Sequence, residues 1–414
     1  MKGLKKVLAL VLVAIFAIGM LAACGSKEEP APAPAGSGSS SAPAAAAGLK
    51  VGLICLHDEN STYDKNFIDA FKASCAKAGL VEGETCFIKT GIPEGEEAQV
   101  AAEEFVEMGC NFIFADSFGH EPYIIEAAKE NPDVQFSHAT GTRAHTEGLS
   151  NYHNAFASIY EGRYLAGIAA GLKLNEMIEA GQFTAAEAKM GYVGAYPYAE
   201  VKSGYTSFYL GAKSVCPTVT MDVLFTNSWY DETAEKECAD KLIKGGCKLI
   251  SQHADSWGAP SACEAAGVPD VSYNGSTISA CPNTFIVSSR IDWSPYFDYA
   301  FDCVKNGKAI DADWTGTIET GSVVLTDFNE AVAAAGTVDT VEAAKAELIA
   351  GTRHVFDCSA FTVGGKALTS YLADVDDMGD FTPETEVIAD GFFHESEFRS
   401  APYFDIDIDG INIL

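Results

Sequence analysis

The chain is short of positive charge. Its 414 residues carry 27 Lys and Arg against 58 Asp and Glu, for a formal charge of −31. Phosphate backbones and anionic lipid surfaces call for basic counterparts, so the composition argues against nucleic acid as a partner and against electrostatic adhesion to a membrane. Other absences narrow the chemistry. The 12 cysteines include no C-x-x-C pair, and no histidine stands at zinc-site spacing from them. "AGIAAG" and "GAYPYAE" carry glycines, but there is no G-x-G-x-x-G turn and no phosphate-loop lysine. There is no G-x-S-x-G elbow, and "HESEF" is not H-E-x-x-H. His57 and Asp58 are neighbours whose side chains point apart on extended chain. The closing "FDIDIDG" spaces three Asp at alternate positions but lacks the following Glu of an EF-hand loop. We therefore expect no enzyme, no cofactor and no bound metal.

One apolar run is present. Val7 to Ala23 is uncharged and follows Lys2, Lys5 and Lys6, the order of a secretory signal. The run is at the short end for a bilayer span of about 20 residues and lacks a basic stop-transfer cluster. Leu21-Ala22-Ala23-Cys24 resembles the bacterial lipobox. This predicts a signal peptide over 1–23, lipidation of Cys24 and attachment to the extracytoplasmic face of a bacterial cell membrane. Residues 24–48, rich in Pro, Ala, Gly and Ser, have too little to bury to offset the entropy of ordering and read as a flexible tether. Eleven cysteines follow Cys24, an odd number that cannot pair completely. Most lie in apolar settings such as "VGLICL", which favours free core thiols.

From residue 49 extended apolar runs alternate with helical patterns: "LKVGLICL", "NFIFAD", "VQFSHA", then, after a long helix near 158–174, "KMGYVGAY", "TMDVLFTN", "CKLISQHAD" and "PDVSYNG". Continuous apolar strands alternating with helices mean parallel sheets covered on both faces. The expected fold is α/β, with two doubly wound parallel-sheet lobes joined by a hinge. Residues 49–157 and about 290–325 form lobe 1, and 158–289 with about 326–414 form lobe 2. Ligands of such sheets bind beyond the carboxyl ends of the strands. Those ends read "HDENSTYDKNF", "DSFGHEPY", "NSWYD", "QHADSW", "NGST" and "RIDWSPY". Asp58, Asn60, Ser117, Asn227, Asp255 and Asp292 are each plausible helix caps. Together with Phe118, Asn274 and the neighbouring aromatics they also suit a flat ring held between π faces and read at its edge.

"YEGRYLAGIAAG" (160–171), "GYVGAYPYAEVKSGYTSFYLGAKSVCP" (191–217), "NSWYDETAEKECADKLIKGGCKLISQHADS" (227–256) and "IDWSPYF" (291–297) resemble the basic-membrane-protein family of substrate-binding lipoproteins. The resemblance implies a type I periplasmic-binding fold, a purine nucleobase or nucleoside as ligand, ABC permease subunits as partners, and a monomer. Asp58 and Phe67 match the opening of the nucleoside site, although "ENST" replaces its glycines. Tyr63 matches an aromatic of the first loop. Trp229, His253, Asp255, Ser256, Asp292 and Trp293 match the branch similar to free-base binders, with Ser294 in place of its Gly. The second-lobe stacking ring of nucleoside binders falls near Gly204 here. The alternative function is a ligand-sensing surface receptor with the same fold and a different small polar ligand.

Overall fold

A computed structural model describes residues 48–375 and 384–414. The expected signal, Cys24 and the tether up to residue 47 lie outside the described residues. Lobe 1 begins with β1 (Val51–Ile54), α1 (Thr62–Ala78), β2 (Cys86–Lys89), α2 (Glu96–Glu107), β3 (Phe112–Ala115), α3 (Glu121–Glu130), β4 (Gln135–Ala139), α4 (Ala144–Glu147) and β5 (Tyr152–Ala157). Both faces of this sheet are covered, so β1, β3 and β5 are buried along their whole length. Ser61 starts α1 by accepting from the Asp64 N–H, and Gly79 ends it at φ 78°.

The chain then crosses into lobe 2 through α5 (Ile159–Glu179) and continues as β6 (Lys189–Gly194), α6 (Ala199–Val215), β7 (Thr220–Phe225), α7 (Glu232–Lys244), β8 (Leu249–His253), α8 (Gly258–Ala266), β9 (Asp270–Tyr273) and β10 (Phe285–Ile291). It returns to lobe 1 with α9 (Ser294–Asn306) and β11 (Asp313–Gly316), and crosses again to β12 (Val323–Leu325) and α10 (Thr337–Ile349). The two sheets have one plan. The first runs β11-β5-β4-β3-β1-β2 and the second β12-β10-β9-β8-β6-β7-β17, parallel except for β12. Because β12 pairs with β10 in the second sheet, the return segment of lobe 1 ends before Val323 rather than at about 325.

The glycines of "AGIAAG" serve helix packing. A Cβ on Gly167 would lie 2.1 Å from the Phe208 carbonyl oxygen, and one on Gly211 would lie 2.0 Å from that of Tyr164, so α5 and α6 touch backbone to backbone. Beyond α10 come the short strands β13 (Leu372–Ala373), β14 (Thr385–Glu386), β15 (Ile388–Ala389) and β16 (Phe392–Phe393), then β17 (Ile411–Ile413), which extends the second sheet beside β7. This tail also reaches lobe 1, where the Ser400 N–H donates to Asp313. The aspartates of "FDIDIDG" are already engaged: Asp405 and Asp407 pair with Lys202 at 2.6 and 3.1 Å, and Asp409 accepts from Gly365 N–H. All eleven cysteines after Cys24 are free thiols, ten of them buried.

Candidate functional site in the interlobe cleft

In each sheet the strand order reverses beside the first strand of the lobe, between β1 and β3 and between β6 and β8. Chains leaving these strands diverge and leave a crevice at the carboxyl edge. The two crevices face each other across one narrow cavity, the lobes being drawn together around it. Leu56, His57, Tyr63, Asp64, Ser117, Phe118 and Thr140 line it from lobe 1. Glu200, Trp229, His253, Asp255 and Tyr273 line it from lobe 2.

The lobes are in contact here. Thr62 donates from its N–H (3.0 Å) and hydroxyl (3.1 Å) to the Asp255 carbonyl, and Asn66 donates to that of Asn274 at 3.0 Å. Aromatic rings bridge the mouth. Phe118 lies 5.5 Å from Tyr198, Tyr198 stacks on Tyr196 at 5.1 Å, and Trp229 packs at 5.0 Å on Tyr196. Thr140, at the end of β4, holds φ at 65°, a backbone cost for a β-branched residue that clusters at functional sites.

The polar groups differ in state. Asp64 is buried, which alone would raise its pKa, but hydrogen bonds from His57 and Ser61 outweigh burial and hold it below the usual carboxylate value. Asp255 is pushed well above that value, first by burial and then by the charges of Asp64, Glu235 and Glu200, with Asn274 only partly opposing. Its surroundings thus favour the protonated form, which can donate as well as accept. His253 is held neutral by burial. Its Nε2 lies 3.3 Å from Glu200, which places the ring proton there, and its Nδ1 is left without a partner. The loop bearing Asp255 is positioned by Glu235, which accepts from the Ser256 N–H at 3.2 Å.

Of the residues singled out in the sequence, Tyr63, Phe118, Trp229, His253 and Asp255 meet in the cavity. Phe67 and Trp293 do not. They are buried and stack on each other at 4.3 Å inside lobe 1, where Trp293 also meets Phe114. The hydrophobic gain of joining two large rings to the lobe 1 core accounts for their place. Asp58 is exposed and closes a turn on Asn60. Asn60, Asn274 and Asp292 line a separate groove between the lobes. Asn274 also braces Asp255 at 3.5 Å, while Asp292 accepts from the Ser294 N–H at the start of α9. Ser256 is buried and its hydroxyl accepts from Gly258 N–H. Gly204 leaves room for His253, whose Nδ1 would lie 2.4 Å from a Cβ there, so the imidazole takes the space of a second-lobe stacking ring. Ser117, read as a cap or edge group, also lines the cavity, and Glu200, His57, Asp64, Thr140 and Tyr273 were not among the residues expected there. Glu200 and Tyr273 follow the same strand-end rule, in "YAE" and "DVSY".

The family model for ABC transporter substrate-binding proteins of the PnrA-like type matches residues 52–349. A purine-binding protein of Brucella abortus (strain 2308) is 31% identical over 272 residues, 64% of this chain and 70% of that protein. A putative ABC transporter glucose-binding protein of Haloferax volcanii is 31% identical over 260 residues, 63% of this chain and 62% of that protein. A solved solute-binding protein of an ABC transporter system from Aeropyrum pernix K1 shares the fold with a TM-score of 0.61 at 16% identity, over 74% of this chain and 92% of that one. With two doubly wound lobes closing on a cleft at their switch points, and with the family match running through both lobes, the chain belongs to the PnrA-like (Bmp) family of ABC transporter substrate-binding proteins and has the type I periplasmic-binding fold.

Proposed function

We propose that the protein captures a neutral purine-like ligand, a nucleobase or nucleoside, in the interlobe cavity and delivers it to the permease of an ABC importer. It does so as a non-enzymatic receptor lipidated at Cys24. The observation that carries this reading is a cavity walled by aromatic rings from both lobes, with the buried Asp255, a Glu200–His253 pair and Asp64 at its edge. Flat heteroaromatic rings gain from π faces, and their edges present donors and acceptors that such groups can match. A purine-binding relative at 31% identity supports it. A relative of the same identity named as a putative glucose binder favours a second reading, a sugar on the Trp229 face. Calorimetry with adenine, guanine, adenosine, guanosine and glucose separates the two. Purine binding with no heat from glucose is expected, and glucose binding with no purine binding would replace the proposal. Lipidation is read by mass spectrometry of the native N-terminus. An unmodified residue 24 on processed, membrane-bound protein would remove the anchor.

A further inference from the structure

Behind the cavity wall of lobe 1, three deprotonatable side chains converge from three elements: Cys55 at the end of β1, Asp64 on α1 and Asp116 after β3. One ligand atom from each lies within 4.8 Å of the other two, and all three residues are buried. We propose that Cys55, Asp64 and Asp116 bind one divalent transition cation of the zinc type in the floor of the lobe 1 crevice.

Two observations besides proximity point to a missing positive partner. Asp116 is fully buried; its Oδ1 accepts from Leu56 N–H, and its Oδ2 meets no donor in hydrogen-bond geometry, the side chains interacting with its carboxyl there being the Cys55 thiol and the Asp64 carboxyl. A buried carboxylate oxygen left unpaired is costly. His57 Nδ1 is likewise without a hydrogen bond and lies 3.5 Å from Asp64 Oδ2, so a fourth ligand of the right type stands beside the three. Among the described residues no lysine or arginine lies at ion-pair distance from Asp64 or Asp116. The C-terminal aspartates differ in this respect, because Lys202 already neutralises two of them.

Thiolate, carboxylate and imidazole together select zinc-like ions over calcium or magnesium. Bonds of about 2.0–2.3 Å put tetrahedral ligands roughly 3.3–3.8 Å apart, so the longest edge would contract by about 1–1.5 Å. On binding, the cation replaces the thiol proton of Cys55, which leaves to solvent, and the two carboxylates bind as anions. His57 and Asp64 also line the ligand cavity, so an ion held here would sit at its inner wall.

The test uses the full chain, stripped by chelator and titrated with cobalt(II) in the absence of any purine, so its outcome is separate from that of the transport ligand. Uptake of one equivalent with a thiolate-to-cobalt charge-transfer band, displaced by zinc, is expected. Cys55→Ser should remove the band, and Asp116→Asn should weaken cobalt affinity at least tenfold with its circular dichroism unchanged. No charge-transfer band in the wild type overturns the proposal. So does a band that survives Cys55→Ser, which assigns it to another thiol, or equal uptake by wild type and Asp116→Asn, which assigns it to surface acids. If Cys55→Ser does not fold, the wild-type spectrum and Asp116→Asn decide.

Discussion

The two lobes share a strand order and differ in what stands at the reversal point. In lobe 1 the space behind the crevice is filled by its own acids and thiol, and the ring presented to the cavity, Tyr63, is pinned by donating to the Asp116 carbonyl at 2.8 Å. In lobe 2 the cavity groups form a second network, His253 on Glu200 and Asp255 on Asn274, with Trp229 at the mouth. One backbone plan thus carries a carboxyl held below its ordinary pKa on one side and one pushed above it on the other. The difference arises from partners. Asp64 receives hydrogen bonds from His57 and Ser61, whereas Asp255 is buried among other acids. It implies that lobe 2 supplies most of the recognition and lobe 1 a platform and a latch.

That division can be broken by substitution. Trp229→Ala should have the largest effect, weakening purine binding about 30-fold, the loss of roughly 2 kcal/mol typical of an aromatic anchor; calorimetry reads it. Asp255→Ala should cost about tenfold, with only a small change in melting temperature. Asp255→Asn, which keeps a donor and an acceptor, should stay within about threefold of wild type if the buried acid binds ligand in its neutral form, which its surroundings favour. A large loss in Asp255→Asn would mean the carboxylate is ionised when ligand binds. Thr62→Ala removes one interlobe hydrogen bond and should weaken binding about threefold to fivefold, mostly as faster release. Asp292→Ala, by contrast, should cost about 1 kcal/mol of stability through the lost hydrogen bond to Ser294 N–H and leave affinity unchanged.

The mildest probe is pH. Burial raises Glu161, Glu235 and Asp270 to about 7 and Glu395 to about 8. A carboxyl whose pKa is raised on folding contributes stability that is lost as pH climbs through the folded value. Burial lowers His120 and His153 to about 4, so their contribution is complete above about 6.5 and lost as pH falls below it. Each acid begins to lose its contribution above its unfolded value of about 4, and four acids outweigh two histidines, so the melting temperature of the ligand-free protein should already fall between about pH 5 and 6.5 and fall further toward pH 8. Glu395→Gln should flatten the upper part of that decline. A melting temperature that rises from pH 6.5 to 8 would contradict the burial of these acids.

The paired lobes were legible because buried parallel strands leave uninterrupted apolar runs and because polar residues collect at their ends. Trp229, His253, Asp255, Phe118 and Tyr63 were found by that rule together with the family resemblance. Trp293 and Phe67 matched motifs equally well, but sequence position does not fix the direction of a ring, and here the core claims both. Caps were misread for a similar reason. Ser61 and Asp231, rather than Asp58 and Asn227, accept the first-turn N–H groups of α1 and α7, since one or two residues of loop decide which side chain can reach. Asp64 looked like an ordinary first-turn acid. Only the fold reveals that it meets Cys55 and Asp116, which are distant in sequence.

The three passages between the lobes run side by side and are stitched together. The Ser158 N–H donates to the Gly316 carbonyl and the Asp292 N–H to that of Ser322, each at 2.7 Å. Strands bound in this way cannot slide past one another without breaking a bond, yet each can twist about its own length. On the proposed function, that leaves rotation about the stitched passages as the motion open to the joint, as in a door hinge, and a closing ligand would be registered as an angle between the lobes.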